Sequence, residues 1–296
     1  MTAQGFGHAR GTFGELLQGV LPDGRHFLVT LPITAGVTAR FQYLPDADEL
    51  TADPEHKRKS LVVARRALTA LGRRGGGRLR LTGDLPEGKG MASSSADLVA
   101  TARAVADAVK GAFAPAEVEA LLRGIEPSDG VMYDDAVVFH HREVRLHSRL
   151  GPLPDLVVVG YDEGGQVDTV EYNRRLPTVG RADRVEFAHL LDRLSAAVRA
   201  ADVAEIGRVA TRSAELHAAR RERRAFAAVR RASDLAGGLG VVAAHSGTLL
   251  GVLLAGDDPD LDQRIAEIRR QCAALGGPLS VHRAVTHLRA EVNGAA

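Results

Sequence analysis

Strand-type and helix-type patterns are segregated along this 296-residue chain, and their order limits the folds available to it. Short alternating or apolar runs typical of strands dominate residues 1–85 and return after residue 240. Helical spacing of apolar residues dominates 182–237. A regular βαβ chain would interleave the two patterns, so the sequence predicts an α+β fold.

A break between two apolar strand patterns lies at Ser148–Leu156, where the sequence SRLGPLPDL holds a glycine and two prolines. We therefore predict two domains, residues 1–150 and 151–296. Hydrophobic residues make up 45% of the chain, which is enough for a sizeable core.

Composition excludes several classes of function. The formal net charge is +1, which argues against a protein that binds nucleic acid through a basic surface. The one arginine cluster, RRERR at 220–224, is interpreted as a solvated helix face. Cys272 is the single cysteine, so it cannot form an intrachain disulfide, and we expect a buried thiol.

The sequence also argues against a membrane protein. The first residues, MTAQGFGHARGTFGE, lack the apolar core of a signal peptide. No apolar stretch reaches the roughly 18 residues that a transmembrane helix needs. We therefore expect a cytoplasmic chain without a membrane or nucleic-acid partner, and a homodimer is compatible with the sequence.

The segment LPEGKGMASSSADLVA, residues 85–100, predicts a glycine turn that leads into a helix beginning at three serines. The first N–H groups of a helix lack internal partners and carry the positive end of its dipole, so such a loop is suited to a phosphate. The alternative is an ordinary N-cap after a glycine turn. Two known phosphate loops are excluded: Gly90 follows Lys89 where the Walker A pattern needs Ser or Thr, and Ser93 stands where the dinucleotide fingerprint needs a third glycine.

This segment resembles the central motif of the GHMP kinases, a family that includes galactokinase, homoserine kinase and mevalonate kinase. The motif is a proline, a short glycine loop, and a small residue followed by two serines and alanine at a helix start; the alanine is Ser95 here. The N-terminal motif of the family resembles RGTFGELLQG, and its C-terminal glycine motif resembles AAHSGTLLG. The resemblance implies the GHMP kinase fold, with a ribosomal-protein-S5-like N-terminal half and a ferredoxin-like C-terminal half.

Four stretches resemble one branch of that family, the L-threonine kinases of propanediol utilisation and cobalamin synthesis: GTFGELLQG, IEPSDG, VDTVEYNR and AHSGTLLG. The branch makes O-phospho-L-threonine, the precursor of cobalamin's aminopropanol linker. The alternatives are a kinase for homoserine, serine or another hydroxylated metabolite, a non-catalytic nucleotide-binding homologue, and a different transferase or decarboxylase on the same fold.

The resemblance implies ATP and Mg²⁺ as cofactors. Ser94 corresponds to a serine that reaches Mg²⁺ in several relatives, and Glu126 is the candidate metal carboxylate, with Glu117 and Glu119 as competitors. The role of Lys89 is open, because it is not a general family feature. The residues assigned to the ATP phosphates are Pro86, Gly88, Lys89, Gly90, Met91, Ala92, Ser93, Ser94 and Ser95.

Asp129, in the turn PSDG before a strand, resembles the catalytic aspartate of mevalonate kinase and galactokinase, and we expect it to accept the proton of the acceptor hydroxyl. Homoserine kinases lack this aspartate, and a turn aspartate often bonds only its own backbone. For a small hydroxylated acceptor, expected to be an amino acid, Asp168 is assigned to the ammonium and Arg174 to the carboxylate. The full set of assigned acceptor residues is Glu15, Gln18, Asp168, Thr169, Asn173, Arg174, Ser246 and Gly247.

The histidines do not suggest a metal site. His140 and His141 are adjacent in a predicted strand and must point to opposite faces. The sequence AAHSGT is not a nucleophile elbow, because Ala244 replaces the required glycine. We expect His245 to hold this loop by hydrogen bonds.

Overall fold

A ten-stranded sheet forms the centre of the structure, a computed structural model that describes residues 3–165 and 179–286. The strands are β1 (Ala3–Val20), β2 (His26–Leu44), β3 (Leu50–Asp53), β4 (Gly76–Gly83), β5 (Ala136–His140), β6 (Arg145–Gly151), β7 (Leu156–Asp162), β8 (Gly240–Ala243), β9 (Leu249–Ala255) and β10 (Leu279–Arg283). The described helices are α1 (Arg58–Ala70), α2 (Ser93–Ala108), α3 (Pro115–Leu122), α4 (Arg181–Arg199), α5 (Val203–Ala218), α6 (Phe226–Leu235) and α7 (Leu261–Cys272).

The sheet runs through both halves of the chain. Its strand order is β10-β7-β9-β8-β1-β2-β4-β3, with β5 paired to β2 and β6. The neighbouring strands are antiparallel except for β3 and β4. β1 and β8 pair where Glu15 lies opposite Ala243, so this residue pair joins the N-terminal strands to the C-terminal strands. The predicted division at residue 150 stays a prediction.

The predicted α+β class is confirmed: strands dominate the first 85 residues and return at Gly240, and helices fill most of 181–235. The sequence did not indicate the long strand β1. Residues 26–44 likewise form one long strand, β2. Pro32 is tolerated within it because it lies opposite Thr12, between register shifts of β1 where regular ladder bonding is interrupted.

Helix α2 packs directly on β1, and this contact sets the position of its N-terminus. The strand allows close approach because Gly7 has no side chain there: a Cβ on Gly7 would lie 2.2 Å from the carbonyl oxygen of Ala100. Half of the buried residues of α2 are alanines, and only Leu98, Val99 and Val105 are larger apolar residues, so little volume separates helix and sheet. Among the described residues, none of the helices has the length and apolar character that crossing a membrane requires.

Candidate functional site

The first turn of α2 opens onto a cavity of about 410 Å³. The helix begins at Ser93, and its N-cap residue, Ala92, has a left-handed backbone with φ of 55° and makes no side-chain cap. The N-cap side chain therefore offers the first N–H groups of α2 no acceptor, which differs from the ordinary N-cap considered as the alternative. A non-glycine residue in the left-handed region is strained, and such strain is commonly found at ligand sites. This end of the helix is suited to an anion.

Ser94 and Glu126 lie together at one side of the cavity. The Ser94 hydroxyl donates a hydrogen bond to the Glu126 carboxylate, which also forms an ion pair with Lys59. Mg²⁺ prefers hard oxygen ligands, so a hydroxyl and a carboxylate beside a phosphate site fit this ion. The two competing glutamates are engaged elsewhere: Glu117 accepts the backbone N–H of Ala114, and Glu119 accepts the Tyr133 hydroxyl and a backbone N–H.

Ser95 and Asp129 form a second pair beside the first. Ser95 Oγ donates to Asp129 Oδ2 over 3.3 Å and accepts the Asp129 backbone N–H over 3.0 Å. Burial raises the pKa of Asp129 to about 6, with the nearby Glu126 carboxylate adding to the shift and the Ser95 bond opposing it. A carboxylate with a pKa close to neutral pH is suited to accept a proton during catalysis. The Ser95 side chain, assigned from sequence to the phosphates, is thus held by the predicted base.

The three motifs of the sequence analysis meet at this cavity. A Cβ on Gly247 would lie 1.9 Å from the Lys89 carbonyl oxygen, and one on Gly90 would lie 2.3 Å from the Ala244 side chain. The N–H of Gly14 donates to the Gly90 carbonyl over 3.3 Å. Glycines at these positions let the phosphate loop pack backbone to backbone against the N-terminal and C-terminal motifs.

Lys89 is directed away from the cavity. Its Nζ lies 2.7 Å from Asp162 Oδ2 and donates to the Gly165 carbonyl over 2.7 Å. Asp162 also accepts the Thr248 hydroxyl over 2.5 Å, and the Lys89 and Thr248 bonds hold the pKa of Asp162 below its usual value against the effect of burial. These contacts favour a structural tie between the phosphate loop and the C-terminal half over a contact of Lys89 with phosphate.

The arginine cluster also differs from its interpretation as a solvated helix face. Residues 220–224 lie between α5 and α6, and Arg223 is 7% exposed. Its guanidinium donates to the carbonyls of Ala244, Gly247 and Leu249 and pairs with Glu163 over 2.7 Å. The solvated interpretation is therefore wrong for Arg223, because the carbonyls of the C-terminal glycine loop need a buried donor.

A hydrogen-bonded chain fixes His245 beside this loop. Gln18 Nε2 donates to the Ala243 carbonyl over 3.1 Å, so Gln18 Oε1 is the acceptor for His245 Nδ1, 2.8 Å away. Burial, followed by the neighbouring His141 and His217 rings, lowers the pKa of His245 well below its usual value. An imidazole whose pKa is strongly lowered stays neutral and is a weak base, so Asp129 is better suited to accept a proton.

The cavity wall also contains residues that the sequence analysis missed. Lys57 pairs with Asp97 over 2.5 Å and with Glu87 over 2.6 Å, and all three line the cavity. The sequence EHKRK at 55–59 is the signal that would have pointed to Lys57 and Lys59.

The remaining residues assigned from the sequence differ in whether they line the cavity. Glu15 and Ser246 line the cavity, as do Gly88 and the loop residues 90–95. Pro86 is exposed and Met91 is buried at 3% exposure, where its carbonyl accepts the Thr12 N–H. The predicted acceptor residues Asp168, Thr169, Asn173 and Arg174 lie outside the described residues.

Comparisons with known proteins give one family match and many similar structures. Residues 59–141 match the family model described as the GHMP kinases N terminal domain. A search of curated proteins finds no match.

The similar solved structures include three proteins of different activity. Homoserine kinase from Cytophaga hutchinsonii is 17% identical over 96% of this chain and 95% of its own, with a TM-score of 0.72. Lactococcus lactis galactokinase in complex with galactose is 15% identical over 96% and 93%, with a TM-score of 0.69. Mevalonate diphosphate decarboxylase from Staphylococcus aureus is 15% identical over 97% of each chain, with a TM-score of 0.70. At these identities the likeness concerns the fold.

Proposed function

We propose that this protein transfers the γ-phosphoryl group of ATP to the hydroxyl of a small molecule, with L-threonine as the leading acceptor. The match of residues 59–141 to the GHMP kinases N terminal domain and the similarity of the fold to a homoserine kinase support this proposal. One observation carries the proposal. Two consecutive serines at the start of α2 hold two different acids: Ser94 bonds Glu126, and Ser95 bonds Asp129. These contacts hold the carboxylate proposed to bind the metal and the carboxylate proposed to accept the proton at the same helix N-terminus.

Each part of this arrangement matches a requirement of phosphoryl transfer, which depends mainly on positioning and on neutralising charge. The uncapped N–H groups at the start of α2 would bind the phosphates of ATP. Ser94 and Glu126 would hold Mg²⁺, which supplies charge neutralisation on the phosphate oxygens when it is bound. Asp129 would accept the proton of the attacking hydroxyl through its carboxylate.

The choice of L-threonine rests on the motif resemblance. The stretches GTFGELLQG, IEPSDG, VDTVEYNR and AHSGTLLG support the L-threonine kinase branch, whose product is a precursor in cobalamin synthesis. Homoserine is the main competing acceptor, because a homoserine kinase is among the similar structures. The presence of Asp129 favours threonine over homoserine, because homoserine kinases lack the corresponding aspartate.

Two other classes of function remain as alternatives. A non-catalytic homologue would not need the Ser94–Glu126 and Ser95–Asp129 contacts. Their presence therefore favours an enzyme. A decarboxylase has the same fold, which shows that fold alone does not decide the reaction.

The first experiment measures ADP release with Mg·ATP against L-threonine, L-serine, L-homoserine, mevalonate and galactose, and identifies each phosphorylated product by mass. We expect L-threonine to give the highest kcat/KM. A higher kcat/KM with L-homoserine would make homoserine the preferred acceptor and would leave the proposed kinase function standing. Absence of product with every acceptor, together with retained ATP binding, would contradict the proposed kinase activity on this set.

A further inference from the structure

Glu15 is a buried carboxylic acid in the wall of the cavity. It lies on β1, opposite Thr30 of β2 and Ala243 of β8, and is 4% exposed. Its side chain lines the cavity together with Leu28 and Asp129. Among the described residues, Glu15 Oε2 has no hydrogen-bond partner. A buried carboxylate oxygen without a partner is costly, so its presence at a cavity wall requires an explanation.

The neighbouring Asp129 carboxyl makes the ionised form of Glu15 less favourable still. Burial and the neighbouring Asp129 carboxyl together raise the pKa of Glu15 well above its usual value. Two acids in one buried site repel each other when both are ionised. Such pairs persist in folded proteins where they serve a ligand or a reaction, because packing alone would replace them with neutral residues.

The lysines of the cavity wall are committed to other acids. Lys57 pairs with Asp97 and Glu87, and Lys59 pairs with Glu126. The ring of His245, on the Glu15 side, is held neutral by burial, which lowers its pKa well below the usual value. Among the described residues, no lysine or arginine therefore forms an ion pair with the Glu15 carboxylate.

We infer that the acceptor itself supplies the missing positive charge: its ammonium group binds Glu15, while its hydroxyl lies against Asp129. Glu15 then determines specificity, selecting alcohols that carry a primary ammonium group over neutral or purely anionic alcohols. The inference rests on the proposed kinase function and assigns to Glu15 the role that the sequence had suggested for Asp168. Within the described part of the chain, no cluster of three or more metal-type ligands offers a second metal as the partner.

The test compares each amino alcohol with its des-amino analogue. The pairs are L-threonine with (R)-3-hydroxybutyrate, L-serine with 3-hydroxypropionate, and L-homoserine with 4-hydroxybutyrate. For the best pair, we expect the wild-type protein to prefer the aminated acceptor by at least about 10²-fold in kcat/KM, because a site built to bond a polar group rejects a ligand that lacks it. (R)-1-Amino-2-propanol, which keeps the ammonium and lacks the carboxylate, should bind more tightly than (R)-3-hydroxybutyrate.

Two variants and one control assign the preference to Glu15. Glu15→Gln keeps the shape of the side chain and removes its charge. The ratio of kcat/KM for the aminated acceptor to that for its des-amino analogue should therefore fall below about tenfold, because kcat/KM for the aminated acceptor decreases. Glu15→Asp keeps the charge and should retain part of the preference. Glu49→Gln, the same change at an exposed position outside the cavity, should leave the preference intact. The Mg²⁺ concentration for half-maximal rate should be the same in wild-type protein and Glu15→Gln.

Three outcomes would overturn the inference. The first is equal use of both members of every pair by the wild-type protein, which would leave the kinase function standing. The second is an equal loss for both members in Glu15→Gln, which would make Glu15 a structural residue. The third is an altered Mg²⁺ requirement in that variant with an unchanged preference, which would make it a metal ligand.

A binding measurement separates failure of this inference from failure of the proposed function. If no acceptor is phosphorylated, isothermal titration of the same pairs into the full chain with a non-hydrolysable ATP analogue still tests Glu15. Tighter binding of the aminated members, lost in Glu15→Gln, would support the inference without turnover. Equal or undetectable binding of all members would overturn it.

Discussion

Replacing Asp129 with asparagine is expected to remove activity and to make the protein more stable above neutral pH. The pKa of Asp129 is about 6 in the folded chain against an ordinary value of 3.8. Since one pKa step corresponds to about 1.36 kcal/mol, ionised Asp129 destabilises the fold at pH 8 by about 3 kcal/mol. Asparagine keeps an oxygen for the Ser95 hydroxyl but adds an N–H that needs a partner, so we expect a net gain of about 1–3 kcal/mol.

The sign follows from the raised pKa. The folded state holds the proton of Asp129 more tightly than the unfolded chain, so its contribution to wild-type stability rises as pH falls from about 6 towards 3.8 and is nearly constant above about pH 7. Asparagine does not titrate, and the advantage of Asp129→Asn should be largest above pH 7 and should shrink below pH 6. Wild-type kcat/KM should fall as pH drops through about 6, because the base becomes protonated.

Thermal unfolding from pH 5 to pH 8 tests this prediction alongside the rate of ADP formation. At roughly 2 °C per kcal/mol for a chain of this size, Asp129→Asn should melt about 2–6 °C above wild type at pH 8. Its turnover should be lower by at least about 10²-fold. The exposed aspartate variant Asp46→Asn serves as control and should match wild type in both measurements. A stability difference that is absent at pH 8, or that stays constant down to pH 5, would refute the assignment of a buried, ionised Asp129.

Three further predictions concern the surroundings of the phosphate site. Glu126→Gln should raise the Mg²⁺ concentration needed for half-maximal rate by about 10- to 100-fold; an unchanged requirement would remove Glu126 from the metal site. Lys89→Met should lower the free energy of unfolding by about 2 kcal/mol, because it leaves a partly buried Asp162 without its cation, whereas the exposed Lys110→Met should cost less than about 0.5 kcal/mol. If Lys89→Met instead weakened ATP binding without loss of stability, Lys89 would be a phosphate ligand. Gly247→Ala should cost about 1–3 kcal/mol in stability and lower turnover, since its Cβ would lie 1.9 Å from the Lys89 carbonyl. Gly180→Ala meets open space and, at the N-cap of α4, should cost less than about 1 kcal/mol and leave turnover unchanged; an equal loss of turnover in both variants would contradict the close packing of the two loops.

The sequence by itself determined the fold class and the start of α2. The separation of strand and helix patterns is a local property, and it predicted α+β. The turn with Gly88 and Gly90 before three serines likewise predicted a helix N-terminus open to an anion, because caps and turns depend on residues that are neighbours in the chain. The metal and base assignments to Glu126 and Asp129 also came from short motifs; the contacts with Ser94 and Ser95 support them as proposals.

Only the tertiary structure decided which side chains share a site. Glu15 and Asp129 lie more than a hundred positions apart in the chain, and the effect of one carboxyl on the pKa of the other exists only once the chain folds. The sequence left the role of Lys89 open and suggested a solvated position for Arg223, but folding brings Asp162 to Lys89 and the carbonyls of the glycine loop to Arg223. A motif specifies which groups are present, whereas burial and long-range pairing determine their charge and their partners, and so which of them remain available to a ligand.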